Sequence, residues 1–308
     1  ADGSKGGVSV YLDYARFLLP LMLTTIVKEF GVQVLNGGMA RMPQATETLA
    51  AFGLAWGLVM FVASVLMQAR QLGLVLVEGG ESYRTVRLFV LLAGLLLAGL
   101  LALMTLGAVG DWVVEELHGV EHSLGLLARQ IMLWLIPVPL LRGLFYFYSG
   151  LLLRARRTDL VSYAMLASMA ASIGAVFLVL PMGFVQAKPI WLPILVTYAS
   201  VAAELAVTGW GYRHAVRPSL SEAGRPLSFR YVTEFFWPLA LIMTIQGVSR
   251  PMINLFVSRE PGATDALAVL TVVYALGLIL YGWLNEIRSL PSAFQDWDDN
   301  LKHIRRFA

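Results

Sequence analysis

Gln246, Arg250 and Asn254 stand at i, i+4 and i+8 in QGVSRPMINLFVSRE (246–260), inside one of the most apolar parts of the chain. On a helix that spacing stacks them in one stripe. A guanidinium flanked by two amides suits the holding of an anion: a fixed cation, with groups beside it that donate and accept hydrogen bonds. A lipid-facing arginine at depth costs about 2.5–3.5 kcal/mol on insertion scales. Arg250 lies about seven residues from the end of its apolar run, roughly 10 Å deep, and its Cα–Cβ bond tilts away from that end. It is therefore expected to face a hydrated cavity or to pair with Glu29 or Glu204. Pro251 removes its own backbone donor and frees the carbonyl of Gly247. At such depth the carbonyl needs water or protein.

Further polar groups lie in other apolar runs. Lys28 is a second cation, and Glu29, Gln33 and Asn36 form another stripe. Glu204 stands in mid-run, either as a proton or cation coupling group or as the counter-ion of Lys28 or Arg142. Pro137 and Pro139 break the run that holds Arg142, and Phe145 to Tyr148 read as a packing belt. Asn285, Glu286 and Arg288 suit an inner gate or an ion pair between halves. The expected substrate-binding set is Arg250, Lys28, Gln246, Asn254, Asn36 and Gln33. The expected coupling or gating set is Glu29, Glu204, Arg142, Asn285, Glu286 and Arg288.

Other chemistry finds little support. His118 and His122 have a zinc-compatible spacing, but no third ligand converges and Gly119 weakens the helix, so a solvated connection is expected. The sequence has no P-loop, GxSxG elbow, HExxH or kinase set, and no nucleic-acid module. The expectation is no enzyme, no catalytic residue, no cofactor, no metal and no nucleic-acid partner. The expected partners are a small anionic substrate and the lipid bilayer, with the oligomeric state left open.

The elements that hold these residues follow from composition. The 308 residues are 58% hydrophobic and 14% charged, against about 25% charged in soluble domains. Mean hydropathy is +0.70. Cysteine is absent, so neither disulfides nor Cys-based metal sites arise. Runs of 18 residues or more predict membrane-spanning helices. Eight spans are expected, at about 14–36, 46–70, 86–109, 126–152, 158–183, 189–212, 231–257 and 264–287. Segment 111–125 is a polar connection with amphipathic character. Segment 214–230 is a Pro-, Gly- and Ser-rich linker between residues 1–213 and 231–308. Arginine and lysine crowd the loops after spans two, four, six and eight, placing those loops and the N-terminus in the cytoplasm. The fold class is an all-α polytopic protein of the plasma or inner membrane.

Residues 17–72 align without a gap on 235–290 at a constant offset of 218. Phe17 meets Phe235, Pro20 meets Pro238, Asn36 meets Asn254, and Arg41 meets Arg259. Ala45-Thr46-Glu47 meets Ala263-Thr264-Asp265, and Arg70 meets Arg288. Six spans separate the copies, so both run in the same direction, as a parallel repeat about an axis along the membrane normal. Residues 1–213 thus form a six-helix lobe, and 231–308 the first two helices of a second. A full second lobe needs four more spans, and truncation is the expectation.

The sequence resembles the progressive ankylosis (ANK) family of membrane transporters, grouped with the multidrug and polysaccharide-lipid flippases. The resemblance rests on FGVQVLNGGMA (30–40), LAAFGLAWGL (49–58), GLVLVE (73–78), ELHGVEHSLG (116–125), GLLLRAR (150–156) and PILVTY (193–198). It is strongest in EFFWPLALIMTIQGVSRPMINLFVSRE (234–260) and YGWLNEIRSLPSAF (281–294). It implies two six-helix lobes and export of polyvalent anions such as pyrophosphate, ATP or citrate. Val32 departs from the family pattern, which has a glutamate there. Two other readings stay open: a flippase for lipids or lipid-linked glycans, and a non-transporting membrane scaffold.

Overall fold

A computed structural model describes residues 7–217 and 226–289. The described chain is a bundle of helices. In chain order these are α1 (Gly7–Met39), α2 (Ala45–Leu76), α3 (Gly80–Leu103), the short α4 (Gly107–Asp111), α5 (His122–Leu135) and α6 (Val138–Arg154). Then follow α7 (Thr158–Val179), the short α8 (Gly183–Ala187), α9 (Trp191–Val216), α10 (Phe229–Gly247), α11 (Ser249–Val257) and α12 (Ala263–Tyr281). Six helices, counting α10 with α11 as one, are long and apolar enough to cross a membrane. The pair α5 and α6 makes a seventh, bent by 43° where Ile136 and Pro137 interrupt it. At 33 residues, α1 is about 50 Å long, well beyond the roughly 30 Å that a bilayer core demands.

Eight spans were expected; among the described residues six helices and the bent α5–α6 pair match seven of them, and α1, over the expected first span at 14–36, is not among those that qualify. The third was expected over 86–109, but α3 ends at Leu103. The Thr105 hydroxyl donates to the carbonyl of Leu101 at 2.6 Å. Gly107 then takes a φ of +60°, which turns the chain into α4. The α6 helix starts with Pro139 in its first turn, where a missing N–H costs nothing. At α10 the Ser228 side chain accepts from the Tyr231 amide at 3.2 Å and caps the helix. Of the linker expected at 214–230, residues 214–216 continue α9, while 218–225 lie outside the described residues.

Two apolar clusters hold the bundle. One joins α2 from Leu49 to Val62 with Ile131, Leu135, Ile194 and Leu267. The other joins α2 from Leu66 to Leu76 with Phe89, Phe147, Leu152 and Phe236. Bilayer-facing positions are apolar too: Leu96 on α3 and Leu280 on α12 are about three-quarters exposed. Without a hydrophobic drive between helices inside lipid, close packing and small residues must hold them. Gly53 and Gly57 on α2 supply that. A methyl added at Gly53 would meet the Thr271 hydroxyl at 1.8 Å, and one at Gly57 would meet the Asn254 amide nitrogen at 2.8 Å. Thr271 donates to the carbonyl of Leu49 at 3.2 Å and that of Leu267 at 2.8 Å. Thr271 is the residue 218 places after Gly53, so α2 and α12 cross where a residue packs on its own repeat counterpart.

This crossing makes a stability prediction. In Gly53→Ala the Thr271 hydroxyl must leave its place, at a cost of about 1–3 kcal/mol. The apparent melting temperature in detergent falls, and Thr271→Ala in the same chain restores most of it.

Candidate functional site

Between the two apolar clusters lies a cavity of about 220 Å³. It is built by three spans. From α2 come Gly57, Met60, Phe61, Ala63, Ser64 and Met67; from α6 come Arg142 and Tyr146; from α10 and α11 come Gln246, Gly247, Ser249 and Arg250. Each span is irregular here. The α2 helix tightens to a 3₁₀ turn over Val65–Gln68. The α5–α6 span bends at Ile136 and Pro137. The α10–α11 span breaks at Val248, three residues before Pro251. Irregular backbone at membrane depth is tolerable where it lines a cavity, and all three interruptions stand near this one.

The two arginines are held differently. The Arg142 guanidinium lies 3.9 Å from the fully buried Glu204 carboxylate, which makes Glu204 the counter-ion of Arg142. Arg142 also sits over the Trp56 ring, 6.0 Å from its centroid. Arg250 has no ion-pair partner among the described residues, and its buried Nε has no hydrogen-bond acceptor there. Its guanidinium lies over the Tyr274 ring, 4.7 Å from the centroid. Glu29 acts on both arginines from longer range.

The expected residues separate into a cavity group and a seam group. Arg250 and Gln246 line the cavity, and Arg142 joins them there. Asn254 and Gln33 instead stitch helices together, and Asn36 supports Gln33 within α1. The Asn254 amide donates to the carbonyl of Gly53 at 3.4 Å, and Gln33 donates to that of Val272 at 3.3 Å. Asn36 donates to Gln33 at 3.4 Å. Asn36 and Asn254, equivalent in the repeat, are both 3% exposed. The side chains of Lys28, Asn285, Glu286 and Arg288 lie outside the described residues. Sequence reasoning missed Ser64, Tyr146, Ser249, Trp56 and Tyr274. The signal for the last two was present: they are 218 residues apart, like the other repeat pairs. In the expected belt, Phe145 and Phe147 are core residues, whereas Tyr146 faces the cavity.

At one end of the bundle the connection after α4 folds onto the turn after α11. Ser258 donates to the carbonyl of His118 at 2.6 Å, and Arg259 donates twice to that of Leu117, at 2.7 and 3.2 Å. His118 was expected to be solvated and is instead 2% exposed. Its Nδ1–H donates to the carbonyl of Val113 at 2.7 Å. Burial holds its pKa below the ordinary histidine range. His122 bonds Glu115 at 2.6 Å, and Arg129 reaches Asp111, Glu115 and the carbonyl of Thr105. No group of three or more potential metal ligands converges among the described residues.

The Arg142–Glu204 pair makes a prediction. Removing either partner leaves a buried charge uncompensated and costs about 3–5 kcal/mol. Arg142→Met with Glu204→Leu recovers most of that loss. A double-mutant cycle on unfolding in detergent measures it, and additive losses would break the assignment.

The fold has a counterpart among solved structures. An inward-facing conformation of a multidrug resistance MATE family transporter of the MOP superfamily matches with a TM-score of 0.64 at 16% identity. The match covers 95% of this chain and 68% of that one. At that identity the likeness is one of fold: an all-helical, multi-pass architecture. The family model of the progressive ankylosis protein (ANKH) matches residues 5–304, and the chain belongs to that family.

Proposed function

We propose that the protein is a secondary transporter exporting polyvalent anions of the pyrophosphate, citrate or ATP type, by alternating access to the cavity between its halves. The observation that carries this reading is Arg250, a guanidinium on a broken helix, lining a cavity, with no paired carboxylate among the described residues. Glu204 balances Arg142, so the cavity wall has a positive excess, moderated by the more distant Glu29. Partial desolvation strengthens that charge: two unit charges 4 Å apart interact by about 1 kcal/mol in water but about 4 kcal/mol near a protein surface. Ser64, Tyr146, Gln246 and Ser249 bring hydroxyl and amide groups to the same wall. We assign anion contact to Arg250 and Gln246, with Arg142 beside them. Gln33 and Asn254 serve the seam between halves, with Asn36 supporting Gln33. Lys28 remains a proposed second cation.

Alternating access needs an end that closes. The bonds from Ser258 and Arg259 to His118 and Leu117 join a connection of the first half to a turn of the second. The bonds of Asn254 and Gln33 lie between that clasp and the cavity. By the distribution of arginines along the chain this end faces outward. Each bond contributes about 0.5–1.5 kcal/mol net. The set is then worth a few kcal/mol, the scale separating two populated conformations.

Two experiments test the proposal. In proteoliposomes, Arg250→Ala lowers flux of pyrophosphate, citrate or ATP by at least tenfold, and Lys28→Ala lowers it less. Unchanged flux in both variants sinks the anion site. For the clasp, the absence of cysteine allows one reporter, Met60→Cys, on the cavity wall. Arg259→Ala raises its labelling by an impermeant maleimide from the outer side about tenfold, and Arg259→Lys raises it less. Equal labelling in wild type and Arg259→Ala would remove the clasp from the mechanism.

A further inference from the structure

Trp56 and Tyr274 are repeat counterparts, 218 residues apart. Each lies under one cavity arginine: Trp56 under Arg142 at 6.0 Å, Tyr274 under Arg250 at 4.7 Å. Each stands three residues beyond the crossing of α2 and α12, where Gly53 packs on Thr271. We infer that Tyr274 is a positioning residue for anion binding, holding the Arg250 guanidinium over its ring so that the N–H groups stay available to substrate. Trp56 does the same, more weakly, for Arg142. The inference rests on the anion-transport reading given above.

The physical reason lies in what an aromatic face does not do. A carboxylate partner holds a guanidinium but occupies its donors and cancels its charge, so an incoming anion must first displace it. A ring face attracts the cation through its quadrupole, leaves the charge in place and leaves the donor edge open. Arg142 has both kinds of partner, with Glu204 at 3.9 Å as well as the ring. Arg250 has the ring as its close partner among the described residues, and at the shorter distance, 4.7 Å. The Tyr274 hydroxyl is buried without a hydrogen-bond partner among the described residues. It therefore adds nothing that phenylalanine would lose, and the ring is the working part.

The test uses pyrophosphate and citrate, assayed separately with the whole chain in proteoliposomes, with KM and kcat determined for each variant. Tyr274→Leu raises KM about tenfold, the fold-change of a desolvated cation–π contact, with kcat little changed. Tyr274→Phe stays within about threefold of wild type. Trp56→Leu raises KM less than Tyr274→Leu does. If Arg250→Ala weakens binding while Tyr274→Leu does not, the positioning role is overturned and the anion reading stands. If Tyr274→Phe falls as far as Tyr274→Leu, the hydroxyl matters and the inference is overturned. A fall in kcat alone assigns Tyr274 to helix packing and also overturns it. If Arg250→Ala changes nothing, or wild type binds neither anion, the anion reading itself fails and takes this inference with it.

Discussion

A guanidinium carried from water into an apolar helix bundle must find an opposite charge, hydrogen-bond acceptors or a polarisable face. Much of the middle of this protein follows from meeting that requirement twice. Arg142 takes a carboxylate and lies on an indole; Arg250 takes a phenol ring. The two solutions leave different amounts of charge behind. An ion pair in a dry interior is close to neutral when viewed from the cavity, whereas a cation on a ring stays a cation. Arg250, although its stack is the closer one, therefore keeps its charge facing the cavity, while Glu204 neutralises Arg142.

The same requirement accounts for the irregular backbone. A continuous helix hides its own polar groups, which is what lipid demands. Here three spans give up that continuity near one cavity, each with a local cause: Pro137 and Pro139 at the α5–α6 bend, Pro251 just after the break at Val248, and a tightened turn at Val65–Gln68. At the third, Ser64 donates to the carbonyl of Phe61 at 2.7 Å and reaches that of Met243 at 3.5 Å, so a side chain ties the irregular turn to the opposing span.

The sequence made most of the spans legible because an apolar run is a compositional signal. Gln246 and Arg250 line one cavity because i, i+4 spacing survives the break at Val248. The sequence could not show that Asn254, on the same stripe, is consumed by the carbonyl of Gly53. Whether an amide faces a cavity or a neighbouring backbone depends on helix approach, and that is set by Gly53 and Gly57. Trp56 and Tyr274 were hidden for a different reason. An aromatic in a membrane helix is ordinarily packing, and only a partner from a distant helix marks it otherwise. His118 was misjudged because polar loop composition says nothing about what folds over it; Ser258 is 140 residues away.

The crossing of α2 and α12 bears on motion as well as stability. Trp56 and Tyr274 lie three residues from it, about 4.5 Å along each helix. The start of α12 at Ala263, next to the Ser258–Arg259 clasp, lies eight residues from it, roughly 12 Å. For a domain rotation of about 15°, groups at the first distance shift by about 1 Å and those at the second by about 3 Å. Halves that rock about this crossing would therefore carry the two arginine–ring stacks almost unchanged while parting or joining contacts at the ends. With the cation holders beside such a pivot, one binding geometry would serve both directions of opening. A clasp of backbone-directed hydrogen bonds would suit that end for the matching reason: such bonds are short-ranged, and a displacement of about 3 Å breaks them outright.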